Sequence, residues 1–300
     1  MTTVREAPRG DAGSRAPVPC RICGAAGVAP AFPFREYTVM RCGACTGEFL
    51  DPQPTDAALA AIYTADYFIH AATPEEHARF AALKRATARH AFAALAASGA
   101  SLQGRLLEIG PGLGDFLAEA EASGLATTGI EFSPTSAAAI VGRIRGTVIT
   151  GTLESAELPD ASFDIVANSD VIEHVREPLV FAREMRRVLR PGGTALVVTP
   201  SLDTWSRKLM GRSWAEYKVE HLFYFNRRSI TMLLREAGFT DVTVGPNVKS
   251  LSIDYIAGHF EKFPVPLWSP LVRGVRRVLP GGLAHRPLQI PSSGMTVIAR

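Results

Sequence analysis

The chain has 300 residues, 47% of them hydrophobic, with 32 basic and 29 acidic side chains for a net charge of +3. That length and apolar content support one sizeable buried core with room for a small appendage, and so even a charge balance does not by itself point to a nucleic-acid partner. No apolar run approaches a membrane span, the stretch from Ala91 to Ala97 being bounded by His90 and Gly99. The first residues lack the apolar segment of a signal peptide, so a cytoplasmic location is expected.

Taken in chain order, residues 1–18 are rich in Pro, Gly, Arg and Asp and are expected to form a disordered tail. Residues 19–50 hold all four cysteines, as Cys20-x2-Cys23 and Cys42-x2-Cys45 with 18 residues between the pairs, and a β-like run from Tyr37 to Arg41. In a reducing compartment that spacing reads as a zinc-binding module in which two knuckles bring four thiolates to one tetrahedral ion. A closed four-sulfur shell leaves no open position, so the zinc is expected to be structural. Residues 51–99 read as a helical region. Pro54-Thr55-Asp56 can start a short helix, and Thr73-Pro74-Glu75-Glu76 has the form of a capping box with proline at the first helical position. The helix after that box is expected to reach about Ala97, where Gly99 stops it.

Residues 100–300 alternate strands with helices. Strands are expected at Leu106–Ile109, Ala126–Glu131, Thr147–Thr150, Phe163–Asn168, Thr194–Thr199, Phe239–Val244 and Met295–Ala299. Helices are expected over 112–123, Pro134–Ile144, Pro178–Leu189 and Asn226–Glu236. This order predicts an α/β fold with a doubly wound, mostly parallel, seven-stranded sheet. Residues 248–291 break the rhythm with many prolines, Trp268, and an amphipathic pattern of Leu271, Val275, Val278 and Leu279 against Arg273, Arg276 and Arg277. They read as an insertion before the last strand, serving as a cover for the pocket, a dimer contact or a peripheral membrane contact. A monomer or a homodimer both remain compatible with it.

The chemistry-bearing motif is the loop Gly110-x-Gly112-x-Gly114 between a strand and a helix. Glycines there allow a tight turn and close approach of a ligand to the backbone, and free amides at the following helix end suit an anion. A dinucleotide fold would require Gly-x-Gly-x-x-Gly. Counted from Gly110, the sixth position is Asp115, so that pattern fails. Glu131, at the carboxyl end of the next strand, stands where a carboxylate can accept both hydroxyls of a ribose.

The run Leu106-Leu107-Glu108-Ile109-Gly110-Pro111-Gly112-Leu113-Gly114 resembles motif I of the class I S-adenosylmethionine (SAM)-dependent methyltransferases. Phe163-Asp164-Ile165-Val166, Val171-Ile172-Glu173-His174-Val175 and Val188-Leu189-Arg190-Pro191-Gly192-Gly193 resemble its later blocks, in the same order. The resemblance covers roughly residues 100–245 and implies a Rossmann-like methyltransferase domain with SAM as cofactor. It implies that Glu108 and Gly110, with Gly112 and Gly114, line the methionine end. Glu131 would hold the ribose, and Phe132 would pack near the adenine. Thr152 and Leu153 fall where the family has an acid followed by an apolar residue against the adenine, and Thr152 departs from that pattern. Asn168 would face the sulfonium side.

For the acceptor, the fourth strand ends Asn168-Ser169-Asp170-Val171, without the Asp/Asn-Pro-Pro-aromatic signature of adenine or amide-nitrogen methylation. Cytosine C5 chemistry needs a cysteine nucleophile, and the four thiols are assigned to metal. His174 and His221 are the candidate bases. Tyr217 joins them through a likeness to sugar C-methyltransferases, which carry a Tyr and a Glu-His pair after the fifth strand; here the pair is Glu220-His221, and Tyr217 sits one residue further away. Trp205, Trp214, Tyr217, His221, Phe223 and Tyr224 are expected to line an aromatic or sugar-sized pocket. A zinc module ahead of a SAM domain is similar to bacterial natural-product methyltransferases, which implies a small-molecule acceptor of secondary metabolism, methylated on oxygen, carbon or nitrogen. The alternatives are a zinc-module RNA methyltransferase and a SAM-fold binding protein that does not methylate. Residues 19–50 carry three arginines, two glutamates and no lysine, which disfavours nucleic acid.

Overall fold

The computed structural model describes residues 19–62, 73–262 and 268–300; the tail expected over residues 1–18 lies outside them. The first strands are β1 (Val28–Phe34), β2 (Tyr37–Cys42) and β3 (Glu48–Asp51), followed by the helices α1 (Asp56–Ile62) and α2 (Pro74–Ala97). At the start of α2, Thr73 Oγ1 accepts from the Glu76 amide at 3.2 Å while the Glu76 carboxylate accepts from the Thr73 amide at 3.2 Å, the reciprocal capping box that the sequence predicts. Gly99, at φ 83°, lies just past its end.

The main sheet is built from β4 (Arg105–Ile109), β5 (Ala126–Glu131), β6 (Thr147–Thr150), β7 (Phe163–Ser169), β8 (Leu189–Pro200), β10 (Val242–Leu251) and β11 (Leu288–Ala299). Its order is β10-β11-β8-β7-β4-β5-β6. β4, β5, β6, β7 and β8 pair parallel, and β11 inserts antiparallel between β8 and β10. The predicted seven-stranded, mostly parallel sheet is therefore present. In β4, Leu106 and Leu107 are both 0% exposed but belong to cores on opposite faces. A central strand covered on both sides shows this continuous apolar run, because every side chain finds a packed layer.

One face carries α2, α3 (Asp115–Ala122) and α4 (Pro134–Ile140), through Phe92, Leu95, Leu117, Ala120 and Ile140. The other carries α5 (Pro178–Val188) and, after the short α6 (Trp205–Met210), α7 (Arg227–Glu236), through Phe181, Met185, Val188, Ile230 and Leu233. The 3- and 4-residue spacings of those apolar positions place them on one stripe of each helix. Burying Phe181, Met185 and Val188 stabilises the α5 docking by about 1.5–3 kcal/mol each.

The cysteine-bearing strands join the rest of the molecule through β9 (Phe223–Tyr224), which pairs with β3 in register Glu48↔Tyr224 and Phe49↔Phe223. The result is a second sheet of order β1-β2-β3-β9. Asn226 stitches the join. Its Oδ1 accepts from the Ser229 amide to cap α7, and its Nδ2 donates to the Thr46 carbonyl at 2.9 Å. Cys20, Cys42, Cys45 and Phe49 share one core with Leu222, Phe223 and Phe225.

The region expected to interrupt the last strands does so over a shorter span than 248–291. β10 runs on to Leu251 and β11 starts at Leu288, pairing Val248↔Pro291 through Leu251↔Leu288. Pro246 and Pro291 lie beside an irregularity between Pro246 and Val248, where a missing amide donor is tolerated. Between the two strands lie α8 (Ile253–Lys262), α9 (Trp268–Val278) and α10 (Gly281–Ala284), with Asp254 ion-paired to Arg276. No helix of the described residues is long and apolar enough to cross a membrane.

Candidate functional site

The glycine loop follows β4 and leads into α3. Gly110, Gly112 and Gly114 all have positive φ, at 69°, 58° and 79°. A side chain at Gly110 would place its Cβ 2.6 Å from Val171 Cγ2, and one at Gly114 would stand 2.9 Å from Ile140 Cγ2. At Gly112 nothing stands within 4 Å of such a Cβ, so this side of the loop faces an open volume. The loop thus presses against the segment after β7 and against α4 at two glycines and leaves open space at the third. A cavity of about 220 Å³ opens beside the loop, lined by Ala78, Phe80, Ala81, Leu113, Asp115 and Arg143.

Two carboxylates flank this loop. Glu131, 5% exposed, accepts from the Gly112 amide at 3.2 Å through Oε2 and from the Ser133 amide at 3.0 Å through Oε1. Burial raises its pKa despite those amides. Glu108 is 5% exposed, and its Oε2 is buried without a hydrogen-bond partner among the described residues. Burial, with the charges of Asp115 and Glu131 beside it, pushes the Glu108 carboxyl up to about 8. An orphaned buried acceptor is costly unless a ligand satisfies it, and a cationic donor suits this one best. Phe132 follows Glu131 and is 73% exposed, a large apolar ring open to stacking.

The remaining predicted cofactor positions are less uniform. Leu153 is 1% exposed, while Thr152 is exposed and exchanges hydrogen bonds with Ser155 in a local turn. Asn168 is 2% exposed, with Nδ2 directed at Met185 Sδ 3.4 Å away on α5. Its Oδ1 is buried without a hydrogen-bond partner among the described residues.

The cysteines meet as their spacing predicts. Cys20, Cys23, Cys42 and Cys45 bring one sulfur each within 4.8 Å of the others. The Cys20–Cys45 and Cys23–Cys42 sulfur separations are 3.7 and 3.8 Å. A tetrahedron with metal–sulfur bonds of about 2.3 Å has edges of about 3.8 Å, and disulfides would be far shorter. Backbone amides of Ile22 and Ala44 donate to the sulfurs of Cys20 and Cys42 at 3.4 and 3.3 Å. The Cys20 sulfur and burial push the Cys45 thiol far up, while the Cys45 sulfur holds the Cys20 thiol below its usual range.

On the acceptor side the structure separates the predicted residues. His174 and His221 come together, with ring centres 4.7 Å apart and edge to face. Tyr217 does not join them. Its hydroxyl donates to Glu48 Oε2 at 2.6 Å and accepts from Arg207 Nε at 2.8 Å. Trp214, Tyr217 and Tyr224 form a core with Phe32, Val39 and Leu50 of the cysteine-bearing sheet, while Trp205 is 63% exposed. The aromatic cluster expected to line a pocket is instead the docking core of that sheet, because β9 pairing with β3 turns these rings inward. Tyr217→Phe is accordingly expected to lower stability by about 1–3 kcal/mol, since Glu48 loses a buried donor, and to leave cofactor affinity unchanged. Thermal unfolding beside a cofactor titration checks this; loss of cofactor affinity at full stability would return Tyr217 to the site.

Three further groups, of which only Glu173 falls within a motif block, stand near these histidines. Asp170, a non-glycine residue at φ 55° just after β7, has Oδ2 3.6 Å from Lys249 Nζ on the extended part of β10. Burial acts to raise Asp170, but the charges of Lys249 and then Lys84 hold it below its usual range. Glu173 is 1% exposed and accepts from Thr199 Oγ1 at 3.0 Å. Glu173 is legible only as the neighbour of a motif histidine, and Lys249 lies in a stretch whose strand character the prolines conceal.

A family profile described as "Methyltransferase domain" matches residues 75–244. A protein of Mycobacterium tuberculosis named "Probable S-adenosylmethionine-dependent methyltransferase" is 35% identical over 128 residues, covering 41% of this chain and 45% of the relative. One of Mycolicibacterium smegmatis with the same description is 44% identical over 89 residues, covering 30% and 33%. The chain thus spans less than half the length of these curated relatives. Among solved structures, phosphoethanolamine N-methyltransferase 2 of Haemonchus contortus, in complex with SAM, superposes with a TM-score of 0.52 at 20% identity, over 84% of this chain and 61% of that one. The profile match covers more than half of the chain, the fold agrees, and so the chain belongs to the methyltransferase-domain family of class I SAM-dependent methyltransferases.

Proposed function

We propose that the protein transfers a methyl group from SAM to a small-molecule acceptor, with a structural zinc in the four-cysteine centre. The observation that carries this reading is the pairing of an orphaned, buried Glu108 with a Glu131 clamped by the Gly112 amide, around a glycine loop with open space beside its central Cα. Glu108 would take the ammonium of the cofactor's methionine part, Gly112 and the α3 end its carboxylate, Glu131 its ribose and Phe132 its adenine. When bound, the cofactor supplies an activated methyl carbon whose bond to sulfur breaks as a lone pair of the acceptor takes it. The chain's own contribution is alignment, which is worth several kcal/mol in such displacements. His174, His221 and Asp170 are assigned to the acceptor end, beyond Gly110. Thr152, Leu153 and Asn168 are assigned supporting places around the adenine and β7.

A small acceptor is favoured over RNA by what the cysteine-bearing sheet does. One of its faces is used up in the Phe32–Tyr217–Tyr224 core, and its β3 edge by β9. The segment lacks the cationic surface that phosphate recognition requires.

The pKa of Glu108 supplies the test. Free protein holds this proton at pH 7 because the group titrates near 8, whereas the ligand's ammonium favours the carboxylate. Cofactor binding therefore releases a proton. Affinity for S-adenosylhomocysteine is expected to rise with pH, by up to about tenfold per unit, and to level off above about 8. Glu108→Gln should flatten that profile. In the unliganded protein the sign is opposite. Unfolded Glu108 loses its proton near 4.5 and folded Glu108 near 8, so stability from this group falls as pH rises between them. Calorimetric titration with S-adenosylhomocysteine in buffers of different ionisation enthalpy measures the released proton directly. No binding, or binding with no pH dependence, would remove the SAM reading of this cleft.

A further inference from the structure

A second cluster of electron-rich atoms stands at the acceptor end. Glu173 lies on the segment between β7 and α5 and is 1% exposed. Its Oε2 is satisfied by Thr199 Oγ1, but its Oε1 is buried with no hydrogen-bond partner among the described residues. One donor atom from each of Glu173, His174 and His221 lies within 4.8 Å of the others. Both imidazoles are held from behind by main-chain carbonyls: Nδ1 of His174 is 2.9 Å from the Glu220 oxygen, and Nδ1 of His221 is 2.9 Å from the Glu216 oxygen. A carbonyl can only accept, so each Nδ1 carries a proton and each neutral ring has its lone pair on Nε2. Backbone carbonyls behind imidazoles are a usual way of aiming them at a metal.

If this were only a packing cluster, a buried carboxyl oxygen would be left unpaired beside two aligned histidines, which is costly in a dry interior. A cation removes that conflict. We propose that Glu173, His174 and His221 form a binding site for one divalent transition-metal ion, distinct from the four-cysteine centre, with open positions for an oxygen of the acceptor. Two imidazoles and a carboxylate suit Zn²⁺, Mn²⁺ or Fe²⁺, whereas Mg²⁺ prefers oxygen alone. Donors bound at about 2.1 Å stand about 3.0–3.4 Å apart in octahedral or tetrahedral geometry, so from separations of up to 4.8 Å the cluster closes by at most about 1.8 Å on taking up the ion.

Asp170 lies close enough for its charge to act on all three side chains, adding negative potential at the mouth of the site, and Lys249 balances it. The consequence for catalysis rests on the methyl-transfer reading above: an acceptor hydroxyl bound to the ion is held in its ionised form without a protein base. Ion binding itself does not depend on that reading.

The probe is Mn²⁺ alone, added to the protein as purified and followed by the loss of the free-ion electron paramagnetic resonance signal. Mn²⁺ has little affinity for four thiolates, so the cysteine centre does not answer. Zinc content by plasma mass spectrometry, before and after dialysis against a weak chelator, shows whether the site must first be emptied. One Mn²⁺ per chain is expected. Glu173→Gln and His221→Ala should each weaken it by more than about a hundredfold, since even supporting residues of a metal site cost 10–100-fold. Thermal unfolding and S-adenosylhomocysteine titration accompany each variant, and Glu173→Gln, nearly isosteric, is expected to keep both. Absence of Mn²⁺ binding to emptied wild-type protein, or binding that both variants retain, overturns the proposal. Failure of S-adenosylhomocysteine to bind would overturn the cofactor reading instead, and leave the metal result standing.

Discussion

Replacing Glu131 with alanine is expected to reduce S-adenosylhomocysteine affinity by roughly two to four orders of magnitude while the protein stays folded. The carboxylate accepts two backbone amides, Gly112 at 3.2 Å and Ser133 at 3.0 Å. It therefore holds the loop and the start of α4 in place before any ligand arrives. Hydrogen bonds to a charged group are worth about 1.5–3 kcal/mol each, and two of them set the lower bound of the effect. The two hydroxyl contacts expected from a ribose add to it. Because Glu131, though buried, stands at a strand end and belongs to neither hydrophobic core of the sheet, the cost to folding should be smaller than the cost to binding. Glu131→Gln separates the parts: it keeps the volume but presents only one acceptor oxygen, so an intermediate loss is expected. Calorimetric titration, with circular dichroism to confirm folding, decides. Wild-type affinity in the alanine variant would place the ribose elsewhere.

The second large effect concerns the cysteine centre. Cys42→Ser is expected to abolish stoichiometric zinc and to lower the thermal midpoint by about 10 °C or more. A structural zinc contributes on the order of 10 kcal/mol to the fold of a small isolated module. For a chain of this size each kcal/mol lost moves the midpoint by about 2–4 °C. The damage should not stop at the module. Cys42 is 0% exposed in the same core as Leu222, Phe223 and Phe225, and β3 is paired with β9. Loosening that sheet frees the segment that holds His221, whose amide and ring are fixed by Lys218 and Glu216 carbonyls. A loss of activity larger than the loss of cofactor affinity is therefore expected. Zinc analysis and thermal unfolding on the same preparation test this, and an unchanged midpoint with zinc absent would show that the four thiols hold the fold without metal.

These two cases mark how much the residues disclose in advance. The Cys-x2-Cys pairs, the capping box of α2 and the strand–glycine loop–helix unit are local patterns, each set by a few neighbours along the chain, and all are legible in the sequence. Glu131 and Glu108 are legible as positions relative to those patterns, although neither the orphaned Oε2 of Glu108 nor the amide clamp on Glu131 is. Tyr217 shows the opposite case. Its aromatic neighbours suggest a pocket wall, yet its hydroxyl is engaged by Glu48, 169 residues earlier in the chain. No local pattern encodes a partner at that distance. Asn168 is a related case: its amide nitrogen lies beside Met185 of α5, a neighbour that the motif position does not state.

By itself the sequence determined the seven-stranded α/β architecture, the four-thiol cluster and the glycine loop with its flanking acids. These follow from hydrophobic period, residue spacing and backbone freedom, which are properties of neighbouring residues. The tertiary structure alone decided that the cysteine-bearing strands share a sheet with β9, that the aromatic residues between Trp214 and Tyr224 form a docking core, and that Glu173, His174 and His221 converge. Each of those depends on burial and pairing between segments far apart in the chain. Such contacts arise only when the whole core closes.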